Sequence, residues 1–187
     1  MIIRQVDDLK KMVNEFSQFA RLPQTKPIVG TLNQVVEESL TVFRQAHPHV
    51  KFEFTSDDKL PHFKFDPDQI RRVFVNLIDN SLAAVAKEPA PLIQVMTRYD
   101  SDLKIVRLIV ADNGEGIPAS DRSRIFEPYY STKEGGTGLG LPIVKRIIED
   151  HNGFIRAIAN EPKGTQMLME LPVNEIDAWK PSKAGAT

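Results

Sequence analysis

The 187-residue sequence contains no cysteine. Disulfides and thiolate metal sites are therefore excluded, and the composition is the one expected in a reducing compartment. No apolar run approaches the roughly 18 residues of a membrane span, and no signal-peptide pattern precedes the first helical stretch. A formal charge of −1 provides no global attraction for nucleic acid or an anionic membrane. Internal repeats are also missing. These absences describe a soluble, cytoplasmic piece, one that could belong to a longer chain.

What is present is enough for a core: 41% of residues are hydrophobic, and the length suits one domain with an appendage. The first twenty residues have a helical pattern with a seven-residue repeat. Ile2, Leu9 and Phe16 form one register, and Val6, Val13 and Ala20 the other. That is a coiled-coil seam; packing of the helix on its own domain is the alternative, because three heptads are short. Pro23 ends this arm, and residues 23–30 form a linker.

Beyond the linker, Val29 opens a short extended stretch, and Thr31 is positioned to cap a helix from about Leu32 to Ala46. "VKFEF" at 50–54 and "HFKF" at 62–65 alternate as strands. Asp66 and Pro67 mark a helix start that runs to about Lys87, with Ile70, Val73, Phe74, Leu77, Ile78 and Val85 on one face. Strands are expected near 92–99 and 104–111. A glycine-bearing loop, a helix at about 141–151 and a hairpin near 153–159 and 165–172 follow. The tail from Asn174 is expected to be disordered. This order predicts an α+β sandwich with helices on one face of a mixed sheet.

Four stretches carry chemistry. In "VFVNLIDNSLAAV", Asn76 and Asn80 are four residues apart and share one flank of the helix. They are either flank amides satisfied by nearby backbone, or oxygen ligands for a hard cation with contacts to phosphates. "VADNGEGIP" places Asp112 at the end of an apolar run, where a buried carboxylate needs donors such as an adenine amine. Gly114 and Gly116 would let a flat base approach, although Asn113-Gly114 alone would equally suit a hairpin turn. An EF-hand is excluded because Gly114 stands where an oxygen ligand belongs.

Between Ile117 and Gly138 lie about twenty residues with only a short possible helix near Ser120 to Ile125, a pattern typical of lids. Lys133 within it either reaches a terminal phosphate or is a solvated surface lysine. Finally, "STKEGGTGLGLPIVKRIIEDHNG" at 131–153 sets clustered glycines before a helix, as a phosphate cradle would. It is neither a Walker A loop nor a dinucleotide fingerprint, whose third glycine would fall at Ile143.

Read in order, "NLIDN", "DNGEG", "FEPYYSTK" and "GGTGLGLPIVKRIIEDHNG" resemble the four nucleotide boxes of the sensor histidine kinases. These share the Bergerat ATP-binding fold with gyrase-type topoisomerases, heat-shock chaperones and MutL repair proteins. The later "KGTQMLMELP" resembles their closing glycine-threonine segment, so the resemblance spans about 28–173. The arm (1–22), with "RQVDDLKKMVNEFSQFARLP" at 4–23, is similar to the second helix of their dimerisation hairpin, and its wording resembles the NtrY-type nitrogen-regulation sensors.

The resemblance implies ATP and magnesium as ligands. It implies Asn80 on the metal, Asn76 on metal or phosphates, and Asp112 on the adenine amine, with Gly114, Gly116 and Ile117 shaping that pocket. Lys133 would meet the terminal phosphate, Gly136, Gly138, Leu139 and Gly140 would present backbone N–H groups, and Thr165 would lie on the pocket floor. It further implies phosphoryl transfer to a hairpin histidine, relay to the aspartate receiver of a response regulator, a homodimeric parent protein and attachment of that parent to the inner membrane. Two departures stand out. Ala84 occupies a position where many such kinases carry lysine, and His47, His49, His62 and His151 all lie outside a phosphoacceptor context. The piece is therefore expected to bind nucleotide but to lack its own acceptor. An ATP-hydrolysing clamp of the same fold would typically carry glutamate where this chain has Asn76, and an amide cannot serve as that base. A degenerate, nucleotide-free interaction domain is the other alternative.

Overall fold

The computed structural model describes residues 23–132 and 136–173, together with Val13 and Ser17. The rest of the heptad arm, the tail from residue 174 and the predicted phosphate contact Lys133 lie outside the described residues.

In chain order the elements are β1 (Ile28–Gly30), α1 (Leu32–Ala46), β2 (Lys51–Thr55), β3 (Phe63–Phe65), α2 (Pro67–Val85), β4 (Leu92–Asp100), β5 (Ile105–Asp112), a 3-10 turn (Arg124–Phe126), α3 (Gly140–Asp150), β6 (Phe154–Ala159) and β7 (Thr165–Pro172). Five strands form one sheet in the order β2-β4-β5-β7-β6. The β2–β4 pair is parallel and the others are antiparallel, which makes the sheet mixed, as expected. Strands β1 and β3 form a separate antiparallel ribbon.

Strict alternation gives the sheet one apolar face. Val95 pairs with Val110, Val110 with Met167, and Met167 with Ala157, a buried row across four strands. The opposite face carries Arg107, whose guanidinium donates to Glu170 at 2.8 Å and to Asp100 at 3.1 Å. The three helices cover the apolar face. Helix α1 buries Leu32, Val35, Val36 and Leu40, and α3 buries Ile143, Val144, Ile147 and Ile148. All six predicted core positions of α2 are buried.

Helix α2 begins where the sequence indicates. Pro67 takes the first turn, and the Asp66 carboxylate accepts from the Asp68 and Gln69 amides at 3.1 and 3.0 Å. Such a cap is worth about 1 kcal/mol. His151, just after α3, accepts the Asp66 N–H at Nε2 (3.0 Å) while its Nδ1 lies 2.7 Å from the Ile147 carbonyl. One imidazole thus joins the end of α3 to the start of α2.

Two local expectations differ from the structure. Thr31 occupies the cap position of α1, but its side chain makes no capping hydrogen bond. The start of α1 is held by Asn33, which donates to the Asp57 carbonyl at 3.1 Å and accepts from the Thr97 hydroxyl at 2.7 Å. Helix α2 stops at Val85 and not near Lys87. Pro89 disfavours helical backbone at Glu88, and the Glu88 N–H closes a turn on the Val85 carbonyl at 2.9 Å. No helix among the described residues is long and apolar enough to cross a membrane.

Candidate functional site: a nucleotide-sized cavity

Helix α2, the end of β5, the loop leading into α3 and the β6–β7 turn surround a cavity of about 1160 Å³. Its wall on α2 is a stripe at four-residue spacing, Arg72, Asn76, Asn80 and Ala84, every member of which lines the cavity. Residues four apart stack on one helical flank, so the predicted asparagine pair comes together as expected.

The base of the cavity centres on Asp112. It continues the apolar face of β5, opposite Ile93, and is only 4% exposed. The carboxylate is satisfied by three elements. The amides of Gly114 and Thr165 donate to Oδ1 at 3.0 and 3.3 Å, and the Ser81 hydroxyl donates to Oδ2 at 3.3 Å. The Asn160 side chain donates to the Asp112 carbonyl at 2.9 Å. A buried carboxylate needs such donors, and together they hold this one in a single orientation on the cavity floor. Thr165 lines that floor, and Gly116 and Ile117 form its rim.

Asn113-Gly114 is not a hairpin turn. The Asn113 side chain accepts from the Leu92 N–H at 2.9 Å and donates to the Ala90 carbonyl at 2.8 Å, anchoring the chain to the start of β4. Nor does Gly114 line the cavity: a Cβ there would lie 2.6 Å from the Ala84 carbonyl oxygen, so close packing against α2 requires the glycine. Its contribution to the site is the N–H that Asp112 accepts.

At the other end, the Asn76 amide nitrogen donates to the Arg72 carbonyl at 2.8 Å. Its Oδ1 then faces the start of α3, 2.9 Å from where a Cβ on Gly140 would be. An amide oxygen therefore confronts a helix N-terminus across the cavity, a place suited to a cation and an anion together. Gly136, Gly138 and Gly140 line this end, and Asn80 is one turn further along α2. Leu139 was expected to offer only its backbone N–H. Its side chain is fully buried in the core, it does not line the cavity, and its N–H lies 3.4 Å from the Thr137 hydroxyl. Among the described residues no group of three or more His, Asp or Glu is placed to hold a metal. Asn76 and Asn80 offer amide oxygens to a cation at this end of the cavity.

The described residues between Ile117 and Gly138 are irregular apart from turns and the 3-10 turn Arg124–Phe126, which stands where a short helix near Ser120 to Ile125 was possible. Tyr129, at φ +66°, donates its N–H to the Gly138 carbonyl at 3.0 Å, joining the two arms of the loop. The Arg124 guanidinium stands 4.6 Å above the Tyr130 ring. Burial and a hydrogen bond with Asp121 push the Tyr130 phenol above its ordinary value.

Sequence reasoning did not single out several lining residues, among them Arg72, Asp79, Arg122, Tyr130 and Asn160. Arg72 had a readable signal, since it precedes Asn76 by the same four residues that separate Asn76 from Asn80. Asn160 had none, because only the β6–β7 pairing brings it to Asp112.

The family described as histidine kinase-, DNA gyrase B- and HSP90-like ATPases matches residues 65–175. The chain belongs to that family. The nitrogen regulation protein NtrY of Azorhizobium caulinodans is 35% identical over 170 residues, covering 87% of this chain and 21% of that protein. The sensor histidine kinase ZraS of Klebsiella oxytoca is 35% identical over 176 residues, covering 93% of this chain and 37% of its own. The chain thus spans between a fifth and two fifths of the length of these relatives. Among solved structures, the catalytic domain of histidine kinase ThkA superposes with a TM-score of 0.71 at 29% identity, covering 79% of this chain and 96% of that domain. The α+β architecture is that of a histidine kinase catalytic domain.

Proposed function

We propose that this chain is the ATP-binding catalytic domain of a sensor histidine kinase. It binds Mg·ATP and presents the terminal phosphoryl group to a histidine on the dimerisation hairpin of its parent protein. The observation that carries the reading is Asp112, a buried carboxylate held by three elements at the floor of a cavity whose far end pairs an amide oxygen with a helix N-terminus.

Asp112 accepts from the adenine amine and so selects the base. Gly116, Ile117 and Thr165 enclose it. Asn80 and Asn76 supply amide oxygens for magnesium, whose remaining positions suit water and phosphate oxygens. Gly136, Gly138 and Gly140 allow the backbone to approach the phosphate chain, and the N-terminus of α3 offsets its charge. Lys133 meets the terminal phosphate from the lid. When bound, Mg·ATP supplies the phosphoryl group; the residues of this chain hold and orient it, which is most of what phosphoryl transfer requires. The acceptor histidine, the aspartate receiver of a response regulator and the second copy of a homodimeric, inner-membrane-attached parent lie outside this chain. The NtrY and ZraS relatives support that assignment.

Calorimetric titration with ATP, with and without magnesium, tests the reading beside Asp112→Ala. Magnesium-dependent binding is expected, weakened roughly ten- to a hundredfold in the variant, the effect of losing a charged acceptor worth about 1.5–3 kcal/mol. Absence of binding by the parent chain would favour a degenerate interaction domain.

A further inference from the structure

Ala84 removes a cation from one end of the cavity-lining stripe, and Arg72 stands at the other end. From Ala84 to Arg72 along α2 is about 18 Å, at roughly 1.5 Å per residue. The Ala84 end is the base end, since Ser81 bonds Asp112 and Gly114 packs on the Ala84 backbone. Arg72 adjoins Asn76, whose amide it holds through its carbonyl, at the end facing the start of α3.

Three basic residues line the cavity among the described residues: Arg72, Arg122 and Lys163. Arg122 donates to the Ile117 carbonyl at 3.0 Å, on the rim of the base end. Lys163 pairs with Glu88 at 2.6 Å, beside the β6–β7 turn that also belongs to the base end. Of the three, only Arg72 is on the Asn76 side. Burial lowers its guanidinium below the ordinary arginine value, a sign that its charge is partly withdrawn from water. A desolvated guanidinium is a planar fork suited to two phosphate oxygens at once.

Building on the nucleotide reading above, we propose that Arg72 is a specificity residue that reads the terminal phosphate, so that this domain distinguishes ATP from ADP without a lysine at position 84. It lies furthest along the stripe from Asp112, so it meets the part of the ligand that ATP has and ADP lacks.

The test is titration of the full 187-residue chain with Mg·ATP and with Mg·ADP, for the parent, Arg72→Ala, Arg72→Gln, Arg72→Lys and Asp112→Ala. Arg72→Ala and Arg72→Gln are expected to lose about tenfold in ATP affinity, the scale of a charge-assisted contact, with ADP changed less than about twofold. Arg72→Lys, which keeps charge but not the fork, falls between. Asp112→Ala should weaken both nucleotides equally, because both carry adenine. An unchanged ATP-to-ADP ratio in Arg72→Gln overturns the inference while leaving the nucleotide reading intact, and a merely structural role for Arg72 would give that result. If the parent chain binds neither nucleotide, both fall. Thermal unfolding of each variant identifies any that fail to fold; Arg72→Gln retains the side-chain length should Arg72→Ala be one of them.

Discussion

At the base end of the cavity, Asp112 is bonded to α2 through Ser81, to β7 through Thr165 and to the β6–β7 turn through Asn160. At the other end, the described part of the segment from Ile117 to Gly138 holds the 3-10 turn Arg124–Phe126 and local turn hydrogen bonds, and the Tyr129 N–H joins it to the Gly138 carbonyl. The first region derives its geometry from a sheet whose ladder hydrogen bonds exist whether or not a ligand is bound. The second is mostly exposed or half-buried over its described residues, with Ile125 buried in the core. On the proposed nucleotide reading, base selection is built into the core and phosphate handling rests on the loop.

Substitution at Gly164 should break this contrast most severely. A Cβ there would overlap the Asp112 carbonyl oxygen, and the backbone at φ +116° disfavours any side chain. Gly164→Ala should therefore lower global stability by about 2 kcal/mol or more and abolish nucleotide binding, read by urea unfolding and titration. If the variant were as stable as the parent, the base end would be softer than its bonds indicate.

Gly138→Ala affects the other region. At φ +68° a Cβ would lie 2.5 Å from the Tyr129 carbonyl carbon, separating the two arms of the lid. ATP affinity should fall by about tenfold, the equivalent of 1–2 kcal/mol of local strain. The urea midpoint should move less than the affinity does, because the clash is with the loop backbone at Tyr129 and not with the sheet. A matching loss of global stability would mean that the lid and core unfold together.

Arg124→Ala should have the smallest effect. Removing the exposed guanidinium above Tyr130 costs about 0.5–1 kcal/mol, and the cost should be confined to the lid. Hydrogen exchange should quicken at the amides of Glu127 and Tyr130, with the β5 and β7 amides unchanged.

Local signals carried much of this into the sequence. Asp66-Pro67 announced the start of α2 because a cap and its helix adjoin in the chain. Alternation in "VKFEF" and "HFKF" announced β2 and β3 because strand geometry has a period of two. Asp112 was legible because a carboxylate ending an apolar run has to find donors. Other features were not legible. Strands β1 and β3 read as extended stretches, but nothing in them showed that they leave the main sheet to pair together. Gly114 looked like space for a base and is space for α2. Thr31 occupies the right place for a cap but does not act as one, because Asn33, Asp57 and Thr97 hold that junction from three separate parts of the chain.

By itself, then, the sequence determined the order and type of the elements, the buried faces and the identity of the carboxylate and amides at the site. Each of these follows from residues a few positions apart, where periodicity and capping act. Only the tertiary structure decided that Asn160 supports Asp112, that Asn76 turns its oxygen to α3, and that Arg72 is, among the described basic residues lining the cavity, the one beside Asn76. Those outcomes depend on which helix packs against which strand edge, and contacts between distant segments have no period in the chain.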